Sequence, residues 1–569
     1  MSADTSGTTW DQTVDVLVVG SGAGALTAAL AAYDRGASPL IIEKSPQFGG
    51  ASAMGGGGLW VPNNHLMAGV GIQDSPEDAW QYMKGCVGDA VPDDRQRAYL
   101  ENAPQMVKYL MEHSRVKFVA LPEYADYYPN IPGSRPGGRC LEPERFHARE
   151  IGNDELVKMR PSALQSLISC RIFMSIFEAR VLMTRSPGWM TMAMKLMGRY
   201  WLDLPWRFKS KRDRSMTMGN ALVARLWRSL MDRGVPLWLN TPARELIMED
   251  GRVVGVVAER EGRKIRIRAN KGVILGTGGF EQSQAKREKY LPNPTRTEWS
   301  CANKYNTGDA VDMGQAVGAA LDLMDDAWWG PTCIVPGEEY ARMLVIEKSL
   351  PGSIFVNKRG VRFVNEASAY IDVVNAMYKN HTPESPCVPC YLVFDATFRK
   401  KYPVGPFLPG QQQPDSRVPK PMLAMFKKAD TLDAVAAQAG VDAAGLKATV
   451  AKFNEYARIG TDPDFHRGET VFDKYYGDPM VQPNPCLAPI ETPPFYILEA
   501  YPGELGTKGG LKTDARARVL NEAGEPIPGL YATGNCSASV MGRTYPGAGS
   551  TIGPTMTFGY IAARDATEK

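Results

Sequence analysis

Asp15-Val-Leu-Val-Val-Gly-Ser-Gly-Ala-Gly-Ala-Leu26 is the stretch on which the fold of this chain turns. Its first half, Asp15 to Val19, is rich in β-branched residues and holds no turn former, which suits a strand buried on both faces of a parallel sheet. Glycines follow at once, and Ala25 to Arg35 is an alanine-rich helical run that Gly36 ends. Pro39-Leu-Ile-Ile-Glu43 reads as the next strand, so the whole is a β-α-β unit of about 30 residues. Gly20-Ser-Gly22-Ala-Gly24-Ala25 fits the pattern GxGxxG/A, and Glu43 stands at the end of the second strand with Lys44 beside it. Glycines there let backbone N–H groups reach a pyrophosphate at a helix N-terminus, and an acid so placed bonds a ribose hydroxyl. A strand before the glycines, a helix after them and the acid further on make this a dinucleotide site rather than a chance glycine turn.

Three more glycine segments accompany it. Phe48-Gly49-Gly50-Ala51-Ser52-Ala53 runs on into Gly55 to Gly58, Lys271 to Gly279 ends a second buried strand in glycines, and Leu530-Tyr-Ala-Thr-Gly534-Asn535 does so near the end of the chain. This set resembles the fumarate reductase/succinate dehydrogenase flavoprotein superfamily. The resemblance implies FAD rather than NAD. It also implies an α/β fold with an α+β cap: a discontinuous, Rossmann-like FAD-binding domain with a catalytic domain inserted into it. The texture of the chain then divides as 1–326 for the first part of the FAD-binding domain, 327–507 for the inserted domain and 508–569 for the second part. Cofactor contacts are expected at Gly20, Gly22, Gly24, Ala25, Glu43, Lys44, Gly49, Gly50, Ala51, Ser52, Gly56, Gly57, Ala243, Gly278, Gly279, Gly534, Asn535, Gly549, Thr551 and Ile552. No histidine stands beside Gly49-Gly50, so non-covalent FAD is expected, and the lack of a second GxGxxG argues against a built-in NAD(P)H site.

Composition narrows the classes further. With Lys+Arg 65 and Asp+Glu 62 the net charge is only +3, which gives nucleic acid no reason to bind. Nine cysteines form no disulfide framework, and the pair Cys387-Val-Pro-Cys390 has no companion to make a metal site. The N-terminal residues are polar and no apolar run reaches about 20 residues, so a cytoplasmic chain without a membrane span is expected. Leu432 to Arg458 reads as a helical stretch, and Glu249-Asp-Gly251 as a hairpin turn.

A narrower resemblance rests on Asp126-Tyr-Tyr-Pro129, Arg139-Cys-Leu-Glu-Pro143, Arg362-Phe-Val-Asn-Glu366 with Tyr370, Phe465-His-Arg-Gly-Glu469, Leu505-Gly-Thr-Lys-Gly-Gly510 and Gly542-Arg-Thr-Tyr-Pro-Gly-Ala-Gly549. These resemble the 3-ketosteroid Δ1-dehydrogenases, from about Val14 to the C-terminus, with an interruption at 162–218. The resemblance implies a 3-keto-4-ene steroid substrate and assigns Tyr545 and the Gly549 N–H to its carbonyl, Tyr370 to the C2 proton and Tyr127 to assisting Tyr370. Tyr124 and Tyr128 are near enough to Tyr127 to compete for its place. A tyrosine base needs help to ionise, because a free phenol titrates near pH 10. Alanine and serine stand before Tyr370 where relatives often carry a proline, a departure that bears on substrate preference.

Within the interruption, Arg185 to Arg214 holds eight basic residues against two acids, interleaved with tryptophan, methionine and leucine. Such a segment suits contact with an anionic lipid surface, although Pro187, Gly188 and Pro205 break any long amphipathic helix. Packing of a helical hairpin on the FAD-binding domain is the competing expectation. No motif names the electron acceptor, for which a quinone is a guess. Two other functions stay open on the residues: a Δ4-(5α)-dehydrogenase or related enone oxidoreductase on the same fold, and a flavin- or lipid-binding carrier without chemistry.

Overall fold

The computed structural model describes residues 9–163 and 171–568. Residues 1–8, 569 and the part of the expected 162–218 insertion that spans 164–170 lie outside the described residues. The opening β-α-β unit forms as read: strand Gln12–Val19, helix Ala23–Asp34 and strand Pro39–Ile42. In the first strand Val16, Leu17 and Val18 are fully buried. Val16 and Val18 face the helix side with Leu26 and Ala29, while Leu17 and Val19 face Val253, Val256 and Leu530. Burial on both faces explains the unbroken apolar run, and each such side chain contributes about 1.5–3 kcal/mol.

Around this strand grows an eight-stranded sheet in which strands 526–532, 263–275, 12–19, 39–42 and 237–238 lie side by side and parallel. The hairpin expected at Glu249-Asp-Gly251 joins strands Ala243–Glu249 and Arg252–Arg260, the second of which pairs antiparallel with 263–275 and so extends the sheet. Strand Pro526–Ala532 comes from the far end of the chain, and helix Ile552–Thr567 then packs against helix Ala23–Asp34.

Residues 327–507 build a second, antiparallel sheet of six strands around the long strand Phe495–Thr507. One face of it is covered by Val435, Leu446, Val450 and Phe453 from the expected helical stretch. That stretch is two helices, Leu432–Ala439 and Ala443–Ile459. Gly440 adopts a left-handed conformation (φ +65°) and closes the first, and the Asp442 side chain accepts from the Ala444 and Gly445 N–H groups to open the second.

Candidate active site

A cavity of about 790 Å³ runs from the glycine turn of the first sheet to the inner face of the second. At its sheet end, Gly20 has φ +106°, and a Cβ there would lie 2.2 Å from the Gly276 carbonyl oxygen, so only glycine lets the two strand ends meet. A Cβ on Gly24 would lie 2.5 Å from the Thr555 oxygen, which makes the third glycine a packing requirement of helix Ile552–Thr567. Gly22 gives helix Ala23–Asp34 no side-chain cap; the Ala23 N–H donates to Ser52 Oγ at 3.0 Å, and the positive end of the helix dipole lies at the cavity that Gly22, Gly24 and Ala25 line. Glu43 is held for a role at the cavity wall: Ser21 Oγ donates to its Oε2 at 2.6 Å and the Ser45 N–H to its Oε1 at 2.9 Å. Lys44 is tied back to Asp309 at 2.8 Å.

The residues fit FAD. A Cβ built on Gly55 or Gly56 meets no atom within 4 Å, yet both line the cavity, so the space beside them is left open by the fold. Gly20, Gly22, Gly24, Ala25, Glu43, Lys44, Gly50, Ala51, Ser52, Gly56, Gly57, Ala243, Gly278, Gly534, Asn535, Gly549, Thr551 and Ile552 all line it. Gly49 and Gly279 sit one layer back, the first donating its N–H to Ser21 Oγ and the second packed under Thr507.

At the other end five tyrosines, 124, 127, 370, 476 and 545, converge on the same cavity. The Tyr127 hydroxyl donates to Tyr370 at 3.3 Å, and Tyr124 lies 3.3 Å from Tyr127 and 2.5 Å from Tyr476, hydroxyl to hydroxyl. Tyr127 touches Tyr370, Tyr124 stands behind Tyr127, and Tyr128 turns away to Asp372 at 3.2 Å. Tyr545 stacks on Tyr127 (ring centres 5.3 Å apart) and meets Tyr370 edge-on at 5.1 Å. Its hydroxyl accepts from Thr551 Oγ1 at 3.2 Å, and the Gly549 N–H is near enough to favour its ionised form. Gly549 has φ +99°, and a Cβ there would strike the Leu59 and Trp60 backbone at 2.5 Å, so the N–H can be presented only by glycine.

Burial pushes the Tyr370 phenol well above its ordinary value and the nearby Tyr545 adds to this, while the bond from Tyr127 pulls it back. Tyr127 and Tyr545 are raised by burial too, the latter against the opposing bonds from Thr551 and Tyr370.

The motifs around the tyrosines prove to be their scaffold. Arg139 reaches Asp126 and Asp74, each at 2.7 Å, and Trp60 Nε1 donates to Asp126 at 2.8 Å, which locks the residue before Tyr127. The Tyr127 N–H donates to the Pro546 carbonyl at 2.9 Å, joining that loop to the one that carries Tyr545. Glu366 is gripped by Arg362 at 2.7 Å and Arg467 at 3.0 Å; burial alone would raise its pKa, but the two guanidinium groups hold it below the usual range. This network anchors the turn that opens helix Tyr370–Lys379. Sequence reasoning missed Tyr476 and the apolar wall of Met174, Ile176, Ala179, Met183 and Val345. Neither carries a motif; only their position in space marks them.

The FAD-binding-domain family matches residues 15–552 of the chain. A 3-oxosteroid 1-dehydrogenase of Mycobacterium tuberculosis is 42% identical, covering 97% of this chain and 98% of its own length. Another from Comamonas testosteroni is 41% identical, covering 98% and 97%. Among solved structures, the 3-ketosteroid delta1-dehydrogenase from Sterolibacterium denitrificans, in complex with 1,4-androstadiene-3,17-dione, superposes with a TM-score of 0.95 at 48% identity, covering 98% of this chain and 99% of that one. The chain belongs to the FAD-binding-domain family and, within it, to the 3-oxosteroid 1-dehydrogenases.

Proposed function

We propose that the chain is an FAD-dependent enzyme that dehydrogenates 3-keto-4-ene steroids between C1 and C2. The observation that carries this is the meeting of Tyr127, Tyr370 and Tyr545 with the Gly549 N–H at the end of a cavity whose other end is a dinucleotide cradle. The substrate C3 carbonyl takes hydrogen bonds from the Tyr545 hydroxyl and the Gly549 N–H. These donors strengthen as charge develops on the oxygen, and so acidify C2–H. Tyr370 takes the C2 proton, and Tyr127 stabilises the resulting phenolate by donating to it. FAD, when bound, supplies the acceptor for the hydride that leaves C1. Met174, Ile176, Met183 and Val345 exclude water and hold a flat apolar body in register.

Relatives named for the Δ1 reaction favour it over a Δ4-(5α)-dehydrogenase, and the convergent donors favour an enzyme over a carrier. No histidine lines the cavity among the described residues, in keeping with non-covalent FAD. We divide the chain into 1–326, 327–507 and 508–569, a reading supported by strand Ala327–Cys333 opening and strand Phe495–Thr507 closing the antiparallel sheet.

A lipid surface is the docking partner assigned to 185–214. Helix Trp189–Leu202 buries Leu196 and Tyr200 on a small core with Ile172 and Met174, and so is packed on one side. Its outer side and the following turn leave Met190, Met194, Trp201, Leu202, Leu204 and Phe208 between 52 and 90% exposed, with Lys195, Lys209 and Lys211 exposed among them. Apolar tips ringed by lysines suit an anionic bilayer. No helix among the described residues is long and apolar enough to cross a membrane. A membrane quinone as electron acceptor accords with that docking.

The test is anaerobic mixing of the yellow protein with androst-4-ene-3,17-dione. Bleaching of the oxidised flavin band with formation of the 1,4-diene supports the reading. Bleaching by a 5α-steroid instead, with a double bond at C4–C5, sinks it.

A further inference from the structure

Two connections link the antiparallel sheet to the rest of the molecule, one entering strand Ala327–Cys333 and one leaving strand Phe495–Thr507. They pass side by side. The Lys508 N–H donates to the Asp326 carbonyl at 3.0 Å, and Lys508 Nζ stands 3.2 Å from Asp326 Oδ2. The same ammonium donates to the carbonyl of Thr544 at 2.9 Å, one residue before Tyr545, and lies 4.8 Å from the centre of the Trp328 ring. Trp328 in turn meets the Tyr545 ring edge-on at 5.1 Å, and its Nε1 donates to Asn535 at 3.1 Å. Asp326 is itself fixed, its Oδ1 accepting from the Ala327 N–H and from Trp329 Nε1, both at 2.8 Å.

The Lys508 side chain is wholly buried. A buried ammonium is costly unless its donors are matched, and an apolar side chain of similar volume would be cheaper to bury there. Here one donor goes to the Thr544 carbonyl, the Asp326 carboxylate offsets the charge as an ion pair, and the Trp328 ring lies within cation–π reach. The result is a rigid tie between the crossover, the tryptophan and the loop that presents Tyr545.

We propose that Lys508 is a positioning residue for the dehydrogenation: its ammonium fixes Thr544-Tyr545 and Trp328 against the crossover at Asp326, and so sets where the Tyr545 hydroxyl meets the substrate carbonyl. The proposal rests on the role assigned to Tyr545 above. It is tested with flavin-loaded Lys508→Met, alone and combined with Tyr545→Phe. A misplaced donor costs on the order of 10- to 100-fold in kcat per bound flavin, with KM changed by less than about threefold. With Tyr545→Phe already present, the same change costs less than about threefold, because two residues acting through one contact are not additive. Asp326→Asn keeps the Oδ1 acceptor and most of the volume, and shows the same pattern with a smaller loss; it serves where Lys508→Met does not fold. Additive losses overturn the proposal, as does full kcat per flavin with only the yield or flavin content reduced. Failure of both variants to fold assigns Lys508 a purely structural role and overturns it too. No turnover of the enone by the unmodified enzyme overturns the substrate reading first, and is thereby told apart from failure of this proposal alone.

Discussion

Tyr127→Phe removes one hydroxyl from the centre of the tyrosine cluster and leaves its ring in place. Packing against Phe472 (ring centres 4.5 Å apart) and Tyr545 is retained, so the fold loses little beyond the hydroxyl's two contacts, to Tyr370 and Tyr124. Donation to a neutral phenol contributes about 1 kcal/mol, and donation to a phenolate about 1.5–3 kcal/mol. The difference, roughly 0.5–2 kcal/mol, is what Tyr127 gives to proton abstraction, and it corresponds to a rate loss of about 2- to 30-fold. Tyr370→Phe removes the base itself and costs about 10²- to 10⁴-fold. Anaerobic stopped-flow bleaching of the flavin at saturating enone measures both. The pH profile adds a sign: burial already raises the Tyr370 pKa and Tyr127 opposes it, so loss of Tyr127 moves the limb on which rate rises with pH to higher pH. Equal losses in the two variants, no loss in Tyr127→Phe, or a limb displaced to lower pH would each refute the assignment.

Three further outcomes are expected. Gly20→Ala drives a Cβ to 2.2 Å from the Gly276 oxygen, so the protein is isolated poor in flavin; a normal ratio of 450 to 280 nm absorbance contradicts the cradle. Burial raises Glu281 to about 7, opposed by bonds from Asn306 and Thr507, so its folded pKa lies above the unfolded value of 4.5. Its stabilising contribution is present below about 4.5 and is lost as pH rises to about 7; Glu281→Gln flattens that part of a Tm-against-pH curve, and an unchanged curve rules the residue out as its source. The chain floats with anionic vesicles at low salt, and the pair Met194→Asp and Phe208→Asp abolishes this while leaving turnover of a soluble enone intact; flotation unaffected by the pair removes the docking face.

The structure also separates what the chain states locally from what it does not. A strand, a glycine turn, a helix and an acid are neighbours in sequence because the phosphate site they make is itself local, and the opening unit was legible for that reason. The hairpin at Glu249-Asp-Gly251 was legible on the same ground. Leu432 to Arg458 reads as a helical stretch, and periodicity does not register the left-handed turn at Gly440 that divides it into two helices. At 185–214 the interleaving of apolar and basic residues suits both lipid contact and packing; the structure packs Leu196 and Tyr200 inward and leaves Met190, Met194 and Trp201 exposed.

By itself the sequence determined the dinucleotide cradle and the parallel sheet and, through its resemblance, pointed to Tyr127, Tyr370 and Tyr545 as candidates. Only the tertiary structure decided that Tyr127 and not Tyr124 or Tyr128 meets Tyr370, that Tyr476 completes the cluster, and that Arg139, Arg362 and Arg467 serve as scaffold. Tyr127–Tyr370, Tyr124–Tyr476 and Arg467–Glu366 each join segments more than 100 residues apart in the chain, and the short-range pairs Arg139–Asp126 and Arg362–Glu366 carry no local pattern that marks them. Side chains only a residue apart can point to opposite walls of a cavity, and spacing along the chain cannot say which one faces in.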